Sequence, residues 1–121
     1  MIRLNPKKLE EQDAEALIGS KLDWIVRTLA HCLPSKIYLF GSAVHGRLSE
    51  TSDLDFALVY SSDEDVALAK SVLYSAPRND DWPMDFLFYT SDDLMARARV
   101  GGVAHIIVNE GRLVFERDST S

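Results

Sequence analysis

A Gly-Ser step at the end of an apolar run, Leu39-Phe40-Gly41-Ser42, precedes an acid pair, Asp53-Leu54-Asp55, by ten residues. Nothing else in the chain constrains its fold as tightly. Residues 36–40 are nearly all apolar with two aromatics, the signature of a short buried strand, and Gly41-Ser42 closes it. Residues 53–60 read as a second strand. Side chains i and i+2 of an extended segment share a face, so Asp53 and Asp55 project together. Between the strands lie a helical turn at Ala43-Val44-His45 and a polar loop. Glycine lets backbone approach a phosphate closely, Ser42 adds a hydroxyl and an N–H, and a short helix starting there aims its N-terminus at the anion. The two carboxylates are hard oxygen donors suited to a divalent cation. Strand, turn and acid pair together point to a metal–nucleotide site.

Apolar periodicity supplies the scaffold around that site. Leu22, Ile25, Val26, Leu29 and Leu33 recur at helical spacing, predicting helix over residues 6–33 that Pro34-Ser35 ends. Gly19-Ser20 is expected to break it in two, with Ser20 capping the second half. Ser61-Ser62-Asp63-Glu64 reads as a cap before a second helix carrying Val66, Ala69, Val72 and Leu73. Residues 75–82 form a loop, and residues 84–89 a third strand with Asp85, Leu87 and Tyr89 on one face. Ser91-Asp92-Asp93 is expected to cap a helix reaching about Arg99. Gly101-Gly102 interrupts it, another helix runs to Val108, and residues 113–116 form a last strand.

This alternation predicts one α/β (α+β) domain with a single small mixed β-sheet flanked by helices. Within residues 1–121, residues 1–33 form the helical N-terminal segment, 34–90 the core bearing the site, 91–117 the last helices and strand, and 118–121 a disordered tail.

With 121 residues there is room for one core and little more. The net charge of −6, from 13 basic and 19 acidic residues with no basic cluster, argues against extended nucleic-acid binding by this chain. A small anionic ligand remains compatible, because a bound divalent cation inverts the local sign. No apolar run approaches the ~20 residues of a membrane helix, so no membrane contact is expected. The first residues lack a secretory leader pattern, and the lone Cys32 leaves no internal disulfide, so a cytoplasmic setting is expected.

Asp85 is the one acid inside the third strand, between Met84 and Phe86. A carboxylate embedded in an apolar strand is costly unless paired or coordinated. Three carboxylates from two strands are expected to converge, a donor set suited to two Mg²⁺ ions roughly 3.5–4 Å apart. On these residues, Gly41-Ser42, Asp53-Leu54-Asp55 and Asp85, the chain resembles the minimal nucleotidyltransferase domain of the DNA polymerase beta superfamily. The likeness covers about residues 34–90, and residues 110–116 are similar to how such small domains end.

The resemblance implies a polymerase beta palm-like fold and transfer of a nucleoside monophosphate, AMP from ATP, onto an acceptor hydroxyl with release of pyrophosphate. It implies that Asp53 and Asp55 hold both metal ions, and that Asp85 binds the ion activating the nucleophile and takes its proton. Gly41 and Ser42 would cradle the triphosphate, with Arg47 as a further phosphate contact. Proteins of this minimal type resemble the antitoxin that adds AMP to a helical HEPN toxin. So short a chain has little room for its own acceptor-binding structure, so a partner protein bringing its own hydroxyl is expected. Assembly as a hetero-oligomer or as a homodimer is left open. Two other readings stand beside it: a binding module acting by contact alone, and a transferase acting on a small molecule such as an aminoglycoside.

The remaining polar and aromatic residues read as structural. His31, His45 and His105 match no zinc spacing, although His45 lies in the candidate phosphate loop. Cys32 reads as a small buried hydrophobe, and Trp24, Trp82, Tyr38 and Tyr60 as packing residues.

Overall fold

The computed structural model describes residues 7–78 and 82–117. Its elements are α1 (Glu11–Thr28), β1 (Lys36–Phe40), a 3-10 turn (Gly41–Ala43), β2 (Leu54–Tyr60), α2 (Asp63–Ser75), β3 (Met84–Thr90), α3 (Ser91–Val100), α4 (Gly102–Glu110) and β4 (Arg112–Glu116). The four strands form one mixed sheet in the order β3-β2-β1-β4. β1 runs antiparallel to both β2 and β4, while β2 and β3 are parallel. The expected mixed sheet flanked by helices is what forms.

β2 is apolar on both faces because helices cover both. Leu54, Phe56, Leu58 and Tyr60 pack with Ile18 and Ile25 of α1 and with Ala69 and Leu73 of α2. Ala57 and Val59 point the other way, onto Leu94 and Ala98 of α3 and Ala104 and Ile107 of α4. Burying an aliphatic or aromatic side chain of this size contributes about 1.5–3 kcal/mol, so the double-sided burial of β2 fixes its register firmly. Tyr60 also ties the chain after α1 to the sheet: its hydroxyl donates to Cys32 O at 2.7 Å, and burial pushes the phenol well above its usual range. Cys32 is half-buried against the same core, where burial raises its thiol.

Several sequence expectations shift here. The first helix is one element, shorter than residues 6–33, and Gly19-Ser20 does not break it. The buried stripe Ile18, Lys21 and Ile25 spans that step, and packing outweighs the roughly 1 kcal/mol helix penalty of a glycine. The helical turn expected at Ala43-Val44-His45 forms as a single 3-10 turn that starts two residues earlier, at Gly41–Ala43, and no longer helix follows it. Thr90, and not the Ser91 trio, caps α3: its hydroxyl accepts from Asp93 N at 3.1 Å. α3 and α4 are parted at Gly101, whose φ of 127° a side-chain-bearing residue rarely adopts. The tail at residues 118–121 lies outside the described residues. Among the described residues, no helix is long and apolar enough to cross a membrane.

Candidate active site

Strand register brings two of the candidate acids together. β2 and β3 pair with Asp55 opposite Asp85, so the two residues occupy matching positions on neighbouring parallel strands. Both lie on the α3–α4 side of the sheet, the side of Ala57, Val59, Leu87 and Tyr89. Asp53 sits one residue ahead of β2 and is exposed, as is Asp85, whereas Asp55 is half-buried. Asp55 is held above the usual carboxylate range, first by burial, then by the charge of Asp85 and then by that of Asp53. Asp55 therefore feels both of the other carboxylates, and the fold concentrates negative charge at this end of the sheet.

The Gly-Ser step closes the other side. Phe40, the last residue of β1, pairs with Asp55, so Gly41 follows directly beside that carboxylate. Gly41 has a φ of 82°, and a Cβ placed on it would overlap Asp55 Oδ2. Two independent reasons thus demand glycine here: the left-handed backbone and the absence of room. The turn is pinned through Ser42, whose carbonyl accepts from His45 N at 3.2 Å and Arg47 N at 3.0 Å. Arg47 is exposed in the loop leaving the turn. His45 Nε2 stands 3.4 Å from Glu110 Oε1, linking the loop to the last residue of α4.

Sequence reasoning missed one feature at this end of the molecule. Arg112, at the start of β4, donates to both carboxylate oxygens of Glu15 on α1, at 2.6 and 2.9 Å. The pair borders a cleft of about 520 Å³ whose floor includes Ile18, Val44 and Leu48. Glu15 and Arg112 are separated by 97 positions, and no local pattern announces such a partner. Arg112 pairs with Leu39, whose side chain faces α1, so this cleft lies on the sheet face opposite Asp55 and Asp85.

The donor set fits a hard divalent cation in chemistry: carboxylate oxygens only, beside a glycine whose missing Cβ gives one of them its space. It is not a closed cage. No three His, Cys, Asp or Glu side chains among the described residues form a ready-made metal-binding group. Like charges that repel, two of them exposed, have every reason to spread into water.

Two comparisons bear on this arrangement. Residues 25–120 match the family model described as polymerase beta, nucleotidyltransferase. The fold is similar to that of a Sulfolobus solfataricus protein whose own assignment as a nucleotidyltransferase is provisional. The two share 18% sequence identity and a TM-score of 0.58, over 90% of this chain and 89% of the other. At that identity the likeness concerns the fold alone. No curated protein sequence matches the chain.

Proposed function

Because this chain belongs to the polymerase beta nucleotidyltransferase family, we propose that it moves AMP from ATP onto a hydroxyl of a partner protein, with Asp53, Asp55 and Asp85 as its acidic centre. The observation that carries the reading is Asp55 in register with Asp85, pressed against a glycine that has room for nothing else. Divalent cations held by these carboxylates, Mg²⁺ being the natural choice, would stabilise charge on the attacking and leaving oxygens. Asp85, exposed at the outer strand, takes the proton of the acceptor hydroxyl. The acceptor oxygen then bonds to the α-phosphorus. The bond from that phosphorus to the oxygen bridging the β-phosphate breaks, and pyrophosphate departs with the electron pair. Gly41 and Ser42 hold the triphosphate through close backbone approach and the Ser42 hydroxyl, and Arg47 contributes a positive charge at the loop. Positioning and electrostatics supply most of the catalysis in such a step.

The acceptor is proposed to be a helical HEPN-type toxin, with this chain as its antitoxin. The test incubates the full chain with labelled ATP and Mg²⁺, with and without the product of the neighbouring gene. Wild type is expected to label the neighbour, and Asp53→Asn or Asp55→Asn to leave it unlabelled. A tight complex without label transfer would favour the contact-only module. Label on an aminoglycoside and not on protein would favour the small-molecule transferase.

A further inference from the structure

Among the described residues the sheet has two open edges, and they differ in how well they are guarded. β4 spans only Arg112–Glu116, carries a charge at each end, and meets β1 through a register shift between Ile37 and Tyr38. Short length, charge and irregular pairing are the usual protections of an edge strand. β3 has only one charge, Asp85 near its start, and neither of the other two protections. It is seven residues long, pairs with β2 without interruption, and after Asp85 reads Phe-Leu-Phe-Tyr-Thr. Along its outer side runs a groove of about 320 Å³ whose floor is residues 86–89, with Tyr74 of α2 on one wall and Arg97 of α3 on the other. A slot with consecutive strand residues at its floor and a helix from each layer at its rims is shaped to receive another strand.

The backbone direction follows from one hydrogen bond. Leu54 N donates to Pro83 O at 3.1 Å, so the carbonyl of Pro83 faces β2. Backbone polar groups alternate sides along a strand, so residues 85, 87 and 89 face β2 while Met84, Phe86, Phe88 and Thr90 offer theirs outward. Among the described residues no strand takes them up.

We propose that β3 is the interface for a second copy of this chain, pairing antiparallel with its own counterpart across a two-fold axis at Leu87. This register uses the whole strand and is self-complementary. Phe86 exchanges backbone hydrogen bonds with Phe88 of the second copy, Met84 does so with Thr90, and Leu87 faces Leu87 as the close non-hydrogen-bonded pair. On the α2 face it joins the aromatic group of Tyr74, Phe86 and Phe88, already in edge or tilted contact, to its own copy. Tyr74 is 64% exposed in the single chain. On the α3 face, Asp85 comes beside Tyr89 of the second copy. Arg97, which holds its own Asp93 at 2.9 Å, also lies close enough to Tyr89 to act on it electrostatically, so each copy brings an Arg97–Asp93 ion pair towards the other's outer carboxylate. With Lys70 over the Phe88 ring on the α2 face, each copy brings two cations, Lys70 and Arg97, and two acids, Asp85 and Asp93, to the seam, so the strands meet with balanced charge. The two Asp85 residues lie on one face of a continuous eight-stranded sheet, about 14 Å apart at ~3.4 Å per residue.

The assembly goes beyond nucleotide transfer and is tested without it, so its failure leaves the transfer reading standing. In sedimentation velocity the full chain is expected at twice the chain mass, and Tyr74→Lys, altering an exposed side chain, is expected to weaken association at least tenfold. In a Cys32→Ser background under mild oxidation, Leu87→Cys is expected to form a disulfide between copies. Tyr89→Cys is not, because its counterpart lies about 14 Å away, beyond disulfide reach. A wild type that stays monomeric up to its solubility limit overturns the proposal. So does a dimer that cross-links at residue 89 and not at residue 87. A monomer that takes an extended segment of another protein into this groove overturns the second copy as occupant.

Discussion

The C-terminal ends of β2 and β3 carry a crowd of acids, and the fold accommodates each of them. Asp63, Glu64 and Asp65 fill the first turn of α2, and Asp92 and Asp93 the first turn of α3. Ser62 and Thr90 cap these helices, accepting from Asp65 N at 3.2 Å and Asp93 N at 3.1 Å. Acids at a helix N-terminus gain from the dipole, and Asp93 also pairs with Arg97 at 2.9 Å. The N-terminal ends of the same two strands carry Asp53, Asp55 and Asp85, with no helix start of comparable length and with one another as neighbours. Residue type is the same at both ends. At the second the native structure raises the pKa of Asp55 by burial and like charge, a local frustration that suits the proposed acidic centre.

That contrast can be broken experimentally. Asp55→Asn is expected to lower transfer by about 10²–10³-fold or more, the scale of losing one preorganised electrostatic group. It should also raise stability by about 0.5–2 kcal/mol, as relief of functional-site strain commonly does. Parallel assays of label transfer and thermal melting decide it, and a variant that loses both activity and stability would make Asp55 an ordinary structural acid. Gly41→Ala should cost about 1–3 kcal/mol from the left-handed backbone and the overlap with Asp55, and should abolish transfer. At the other end, Ser62→Ala and Thr90→Ala should each cost about 1 kcal/mol in a denaturant titration with transfer unchanged.

The pH dependence sharpens the comparison least in magnitude but most in sign. Asp55 titrates higher folded than unfolded, so its charge destabilises the native state at neutral pH. That penalty fades as pH falls through its raised value towards 3.8. The stability gain of Asp55→Asn over wild type should therefore shrink on acidification across that window. Glu15 behaves oppositely. Arg112 holds it below the usual carboxylate range, so its contribution is present above 4.5 and is lost as pH falls through its lowered value. A melting series of wild type, Asp55→Asn and Glu15→Gln from neutral to acid pH separates the two slopes.

Much of the fold was legible from periodicity. The two-faced burial of β2, the opposite faces of β3 and the break at Gly101 are local patterns with one physical solution. The helical turn after the Gly-Ser step was legible but placed two residues late, because Ala43-Val44-His45 suits a helix locally while the chain must turn at Gly41, beside β2. The uninterrupted α1 was misread because a Gly-Ser pair weakens a helix in isolation and says nothing of the core beneath it.

By itself the sequence determined which residues could carry chemistry: a Gly-Ser step, an i, i+2 acid pair and a lone acid in an apolar strand. Those follow from strand periodicity and side-chain type, which are local. Only the tertiary structure decided that Asp85 sits opposite Asp55 and not a strand further away, that Gly41 is closed by that carboxylate, and that Arg112 reaches back to Glu15. Strand order and long-range ion pairs are settled by how helices cover a sheet. That is a property of the whole packed core, and no stretch of chain contains it.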